Sequence, residues 1–188
     1  MMDVPIPRPR PYNSKTDYTI RVGESPIRLD WLPTGSSHLV ITGHAPDGRQ
    51  LWEINGLPTD PDGEPTGATV GALFDLDDTI QVHYETGEWK HGPGAINQRV
   101  VWYGGPDAIN KNRNTLRYTG ELINEKQIPY RATTTNSNAS VWTLLPSIGF
   151  DPRRLFRYGG FKGNVPGFSR NLLAPEPRPK RLQPGDYR

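Results

Sequence analysis

The chain contains no cysteine. That excludes disulfides, a thiolate nucleophile and any cysteine-ligated zinc or iron–sulfur centre, and it leaves the redox compartment unreadable. Long apolar runs are missing as well. The start, Met1-Met2-Asp3-Val4-Pro5, has neither the basic flank nor the apolar stretch of about 7–15 residues that a secretory signal needs. Nothing approaches the ~18 apolar residues of a membrane span. The expectation is a soluble protein without a signal peptide, cytoplasmic, or exported or particle-associated by another route. No internal repeat is visible at any period, which argues against repeat architectures. His83 and His91 lack the spacing of a helical metal pair. The acidic runs Asp60-Pro61-Asp62-Gly63-Glu64 and Asp75-Leu76-Asp77-Asp78 miss the EF-hand spacing and read as turns. With no glycine-rich phosphate loop either, neither a metal nor a cofactor is expected.

What is present suits one small domain. A length of 188 residues supports one well-buried core but not two ordinary domains. Twenty glycines and twenty prolines predict short elements joined by many turns. Five Trp, eight Tyr and five Phe supply the large side chains for the core. The net charge of +2 hides an asymmetry, because residues 151–188 carry nine Lys/Arg against three Asp/Glu. That basic segment suits an acidic partner or surface, or a solvated tail. Alternating prolines in Pro5-Ile6-Pro7-Arg8-Pro9-Arg10-Pro11 and in Pro175-Glu176-Pro177-Arg178-Pro179 prevent helix and central strand. The organisation expected is a tail over 1–14, a single domain over 15–174 and a tail over 175–188.

Within the domain, strand signals come first and helix signals last. Tyr18, Ile20 and Val22 alternate, and Ile27, Leu29 and Trp31 repeat the pattern after Gly23-Glu24-Ser25-Pro26, which predicts strand, turn and strand. A second hairpin runs from His38–His44 through Ala45-Pro46-Asp47-Gly48 to Arg49–Asn55. Asp47-Gly48 suggests a type I′ turn. Positions summing to 95 then lie opposite one another, so Val40 faces Asn55, Thr42 faces Glu53, and His38 shares a face with both acceptors. His44 falls on that face beside the turn, where a solvated side chain is expected. Gly56 to Gly71 reads as a surface loop, with further strands at Ala72–Phe74, Thr79–Glu85 and Asn97–Tyr103. A helix is expected between Pro106 and Pro129, capped by Asp107 or Asn110, carrying Ile109, Leu116, Leu122 and Ile123, and weak at Gly120. A short capped helix follows over Asn136–Leu145, before Pro146 and Gly149. The fold class is α+β, a small antiparallel sheet or open barrel packed against a few helices.

Asn136 or Ser137 at that helix start is expected on capping grounds alone. The same position favours a nucleophile, because free N–H groups and the helix dipole stabilise developing negative charge. Tyr130, then Asn136-Ser137-Asn138 heading a helix with Leu144-Leu145, resembles the Tyr…Asn-Cys-Asn…Leu pattern of circularly permuted papain-like hydrolases, the superfamily of NlpC-like cell-wall peptidases. In permuted members the histidine strand precedes the nucleophile, and Ser36-Ser37-His38-Leu39-Val40-Ile41 is similar to that strand. The resemblance covers roughly Ser36 to Gly149. It departs from the family at the nucleophile, where Ser137 replaces cysteine; an alcohol needs a well-placed base.

The resemblance implies hydrolysis or transfer of an amide or ester acyl group, with peptidoglycan peptide as the substrate class. Ser137 would attack and His38 would take the proton, with Asn55, or failing that Glu53, orienting the imidazole. The alternative is a catalytically degenerate papain-like fold, a binding or structural module of a larger bacterial or phage assembly such as a particle or secretion system. It would dock a protein partner through the proline-rich ends and basic C-terminal segment. Nucleic acid is not the expected partner, since only the last 38 residues favour it.

Overall fold

The computed structural model describes residues 10–29, 32–66, 77–87, 96–157 and 165–175. The strand predicted at Ala72–Phe74, Trp31, His91 and the outer parts of both tails lie outside the described residues. Among the described residues five strands, β1 (Tyr18–Leu29), β2 (Leu32–His44), β3 (Gln50–Thr59), β4 (Thr79–Thr86) and β5 (Ile96–Gly104), precede the helices α1 (Pro106–Glu125) and α2 (Ser137–Leu144). A 3-10 turn over Leu145–Ile148 and the single-turn α3 (Arg154–Arg157) follow. The pairings among these strands are antiparallel, in one open sheet of order β4-β3-β2-β1-β5. The class is α+β, an antiparallel sheet packed against two main helices.

Side chains alternate across a strand, and one face of this sheet is apolar. Ile20, Val22, Leu39, Ile41, Trp52, Ile54 and Ile80 form one buried cluster with Ile109, Leu116 and Ile123 of α1 and with Ala139, Val141 and Leu144 of α2. Gly120, expected to weaken α1, instead permits its approach: a Cβ there would stand 2.8 Å from Val82 Cγ1. Gly105 is the N-cap of α1, with Pro106 in the first turn, so neither Asp107 nor Asn110 caps it. Several intervening strand positions are polar, and Thr42, His44, Glu53 and Asn55 are all buried, alongside Val40.

Two sequence expectations are corrected in the strands. Gly23-Glu24-Ser25-Pro26 is not a turn, because β1 runs through it and pairs with β2 from Thr19↔His44 to Leu29↔Leu32. Pro26 is tolerated because β5 pairs with β1 only as far as Glu24↔Ile96 and the β1–β2 pairing shifts register between Pro26 and Arg28. The loop expected from Gly56 also begins late, since β3 continues to Thr59 and pairs there with Thr79. Pro58 faces Ile80, whose N–H donates to Ile128 rather than across the ladder. The missing N–H of Pro58 thus leaves no β3–β4 hydrogen bond unmade.

The β2–β3 hairpin keeps the predicted register by a different route. Ile41↔Ile54, Thr42↔Glu53 and Gly43↔Trp52 all sum to 95. The turn is not type I′: Gly48 has φ +87° whereas Asp47 has no positive φ, and Gly48 N donates to Ala45 O at 3.0 Å. Pro46, with its preset φ, suits the first central position of such a turn. One offset enters there, with His44 opposite Gln50, and the bulge between Gly43 and His44 removes it.

Candidate functional site

The β2–β3 pairing reaches Ile41↔Ile54 and is not continued to Val40 and Asn55, whereas β3 pairs with β4 as far as Thr59↔Thr79 and β2 with β1 as far as Leu29↔Leu32. The sheet therefore splits between β2 and β3, and the first turn of α2 enters the split. Asn138 Oδ1 accepts from Leu39 N at 2.8 Å, while its Nδ2 donates to Ser37 O at 3.1 Å and to Pro166 O at 3.0 Å. The backbone on either side of His38 is thus bonded to the residue after Ser137. On the β3 side, a Cβ on Gly56 would lie 2.4 Å from Ser140 Oγ and 3.2 Å from Ser137 Cα. Only glycine allows α2 this close.

Asn136 is the cap of α2. Its Oδ1 accepts from Asn138 N (3.0 Å) and Ala139 N (3.2 Å), and its Nδ2 donates to Ala132 O (2.6 Å) and Pro166 O (3.0 Å). Gly167 follows with φ +74°, and a Cβ on it would stand 2.7 Å from Asn136 Oδ1. Of the two residues that sequence alone allowed at the cap, Asn136 takes the role and Ser137 is the first helical residue. The Asn138 and Ala139 N–H groups are therefore occupied. Among the described residues the Ser137 N–H and hydroxyl carry no hydrogen bond, and Ser137 is 5% exposed.

His38 and Asn55 meet through side chains across the split, the imidazole Nε2 bonding Asn55 Oδ1. Asn55 Nδ2 donates to Glu53 Oε1 at 3.4 Å, and Gln50 Nε2 donates to Glu53 Oε2 at 3.3 Å. Because Oδ1 can only accept, Nε2 carries the proton and Nδ1 keeps the lone pair. The two residues weighed as orienting groups thus stand in series, with Asn55 in contact with His38 and Glu53 behind it. No hydrogen bond joins Ser137 to His38 among the described residues.

Burial acts on the ionisable members. It pulls the half-buried His38 imidazole from 6.5 down to about 4, against a smaller upward pull from Asn55, so the ring is neutral at physiological pH. Burial likewise pushes the Glu53 carboxyl above its usual range, with the bonds from Gln50 and Asn55 opposing it. Tyr130, the first residue of the motif, has its phenol raised by burial and then by the charge of Asp78.

The two other described histidines, His44 and His83, bond to neighbouring strand and turn groups. His44 is 4% exposed rather than solvated as expected, with Nε2 bonded to Thr42 Oγ1 (2.9 Å) and Nδ1 to Gly48 O (3.1 Å). His83 stands opposite Asn55 and bonds Thr59 Oγ1 at 2.9 Å. The Asp60–Glu64 run is a turn, closed by Glu64 N to Asp60 Oδ1 at 2.8 Å. Among the described residues no group of His, Asp and Glu could hold a metal ion.

Sequence reasoning missed Gly56, the Pro166-Gly167 segment and the bonding role of Asn138. The available signal was the polar triplet Asn136-Ser137-Asn138 opening an otherwise apolar helix, because buried polar side chains need partners. Comparison with protein-family models, curated proteins and solved structures finds no match to this chain.

Proposed function

We propose that the chain is a permuted papain-like acyl hydrolase or acyltransferase acting on an amide or ester bond, with Ser137 as nucleophile and His38 as general base. The supporting observation is the series His38, Asn55, Glu53 at the split where the first turn of α2 enters. Asn55 holds Nε2–H, which leaves Nδ1 as the proton acceptor for an attacking hydroxyl. The Ser137 N–H, without a hydrogen bond among the described residues, is a backbone donor for the oxyanion. In the forward step Ser137 Oγ bonds to the acyl carbon as its proton passes to His38. The leaving amine or alcohol departs with that proton, and water or an acceptor amine releases the acyl group. Peptidoglycan peptide is the substrate class proposed.

A second reading has a specific observation behind it. His38 with a pKa near 4 is a weak base for an alcohol, and no hydrogen bond links it to Ser137 among the described residues. Both facts suit a degenerate site in a binding or structural module, with the proline-rich ends and basic segment as its docking elements. Replacing Ser137 with Cys separates the two, since a thiol beside histidine ionises where an alcohol does not. Labelling of Ser137→Cys by a thiol-directed acyl probe, lost on His38→Ala, supports papain-like geometry. An inert Cys in a folded variant leaves the binding module.

A further inference from the structure

The structure assigns Asn138 as the positioning residue of His38, its side-chain amide replacing the missing β2–β3 pairing and tying the histidine strand to the first turn of α2. The inference rests on the proposed role of His38 for its catalytic meaning, although the placement stands without it. A strand that leaves its neighbour exposes an N–H and a C=O that must find partners if buried. At Leu39 and Ser37, 0% and 4% exposed, the partners are Asn138 Oδ1 (2.8 Å) and Nδ2 (3.1 Å). The second Nδ2 hydrogen goes to Pro166 O (3.0 Å), so both donors are used. One N–H and two carbonyls around one amide also determine its orientation.

Neighbouring polar residues cannot take over the role. Asn136 is committed to the cap, and Ser37 Oγ donates to Glu24 Oε2 at 3.1 Å, anchoring the strand to β1 instead. Among the described residues, Glu53 reaches His38 through Asn55, and Glu24 accepts from Ser37 Oγ, one residue before His38. Neither is bonded to Asn138.

Asn138→Ala removes all three bonds and keeps a good helix former. The readout is an NMR titration of the histidine side chains in the full chain, with His38 identified by His38→Gln. Wild-type His38 is expected to titrate near 4, and in Asn138→Ala about one unit higher or more, because a loosened strand admits water to the ring. Thr143→Val is the control. It breaks the bond from Leu172 N to Thr143 Oγ1 (2.9 Å), on the same C-terminal segment but away from β2. It should lower the thermal midpoint and leave His38 unmoved. An unmoved His38 in folded Asn138→Ala overturns the assignment, as does an equal shift in Thr143→Val.

If Asn138→Ala does not fold, amide exchange in the wild type decides. Leu39 N–H should be protected about as well as Ile41 N–H, and exchange at the rate of a free amide overturns the role. These readouts need no substrate, so an inert Ser137 leaves them intact. Acyl labelling of Ser137→Cys with an unmoved His38 would retain the hydrolase and remove Asn138 from it.

Discussion

Protonation governs what His38 can contribute. With its pKa pulled by burial from 6.5 to about 4, a reaction using its free nitrogen keeps its rate as pH falls through 6.5 and loses it only near 4. The acid limb of Ser137 acylation by an activated ester is expected there, and a limb near 6.5 would show an ordinary, solvated imidazole. Stability follows the same displacement. His38, His44 and His83 all have folded pKa values lowered by burial, so on acidification the unfolded chain takes up protons first. Their share of stability is complete above about 6.5 and is lost as pH falls toward the folded values. Glu53 has the opposite sign. Its folded pKa is raised above 4.5, so its share is present below 4.5 and lost as pH rises through the folded value. Glu53→Gln should therefore have a higher thermal midpoint than the wild type at pH ~7, with the difference shrinking toward pH ~4, as calorimetry across that range will test.

Elements in this fold meet with little slack. Gly56→Ala would press a methyl group into Ser140 Oγ at 2.4 Å and Ser140 Cβ at 2.7 Å. The expected cost is about 1–3 kcal/mol by denaturant unfolding, with α2 displaced from the split. Ser140→Gly should recover part of that loss, once its own helix penalty is subtracted in a double-mutant cycle. An unchanged Gly56→Ala would mean that α2 sits further from β3. The cap invites a similar test. Asn136→Ala loses the Oδ1 cap and two Nδ2 bonds to Ala132 and Pro166 carbonyls. A cap and two further hydrogen bonds together are worth about 2–3 kcal/mol. Ser137→Ala should cost far less, since its hydroxyl makes no bond among the described residues.

Over the whole molecule, the basic C-terminal segment contributes to the core. The basic excess begins at residue 151, yet Phe168 and Leu172 are 7% and 5% exposed within the main cluster. Phe168 meets Trp142 edge-on at 5.0 Å. Ending the chain before Val165 removes both side chains, each worth about 1.5–3 kcal/mol of burial, together with the Pro166 carbonyl shared by Asn136 and Asn138. Loss of cooperative unfolding is expected. Ending it at Pro175 should leave the midpoint within a few degrees, since the prolines beyond bar helix and central strand.

Local chemistry in the sequence determined the order of strands before helices, the hairpin register, a cap at Asn136 or Ser137 and the shared face of His38, Asn55 and Glu53. Alternation, turn residues and capping act over a few neighbours and are readable there. Tertiary packing decided the rest. Gly23 to Pro26 looks like a turn, but pairing with β2 holds it as strand. Gly56 to Thr59 looks like a loop, but its pairing with β4 extends β3. The split between β2 and β3, and the entry of Asn138 into it, join residues about a hundred positions apart in sequence. A contact between such distant residues leaves no periodic trace in either segment, because it is made by the closing of the sheet against α2 rather than by the propensity of any residue within it.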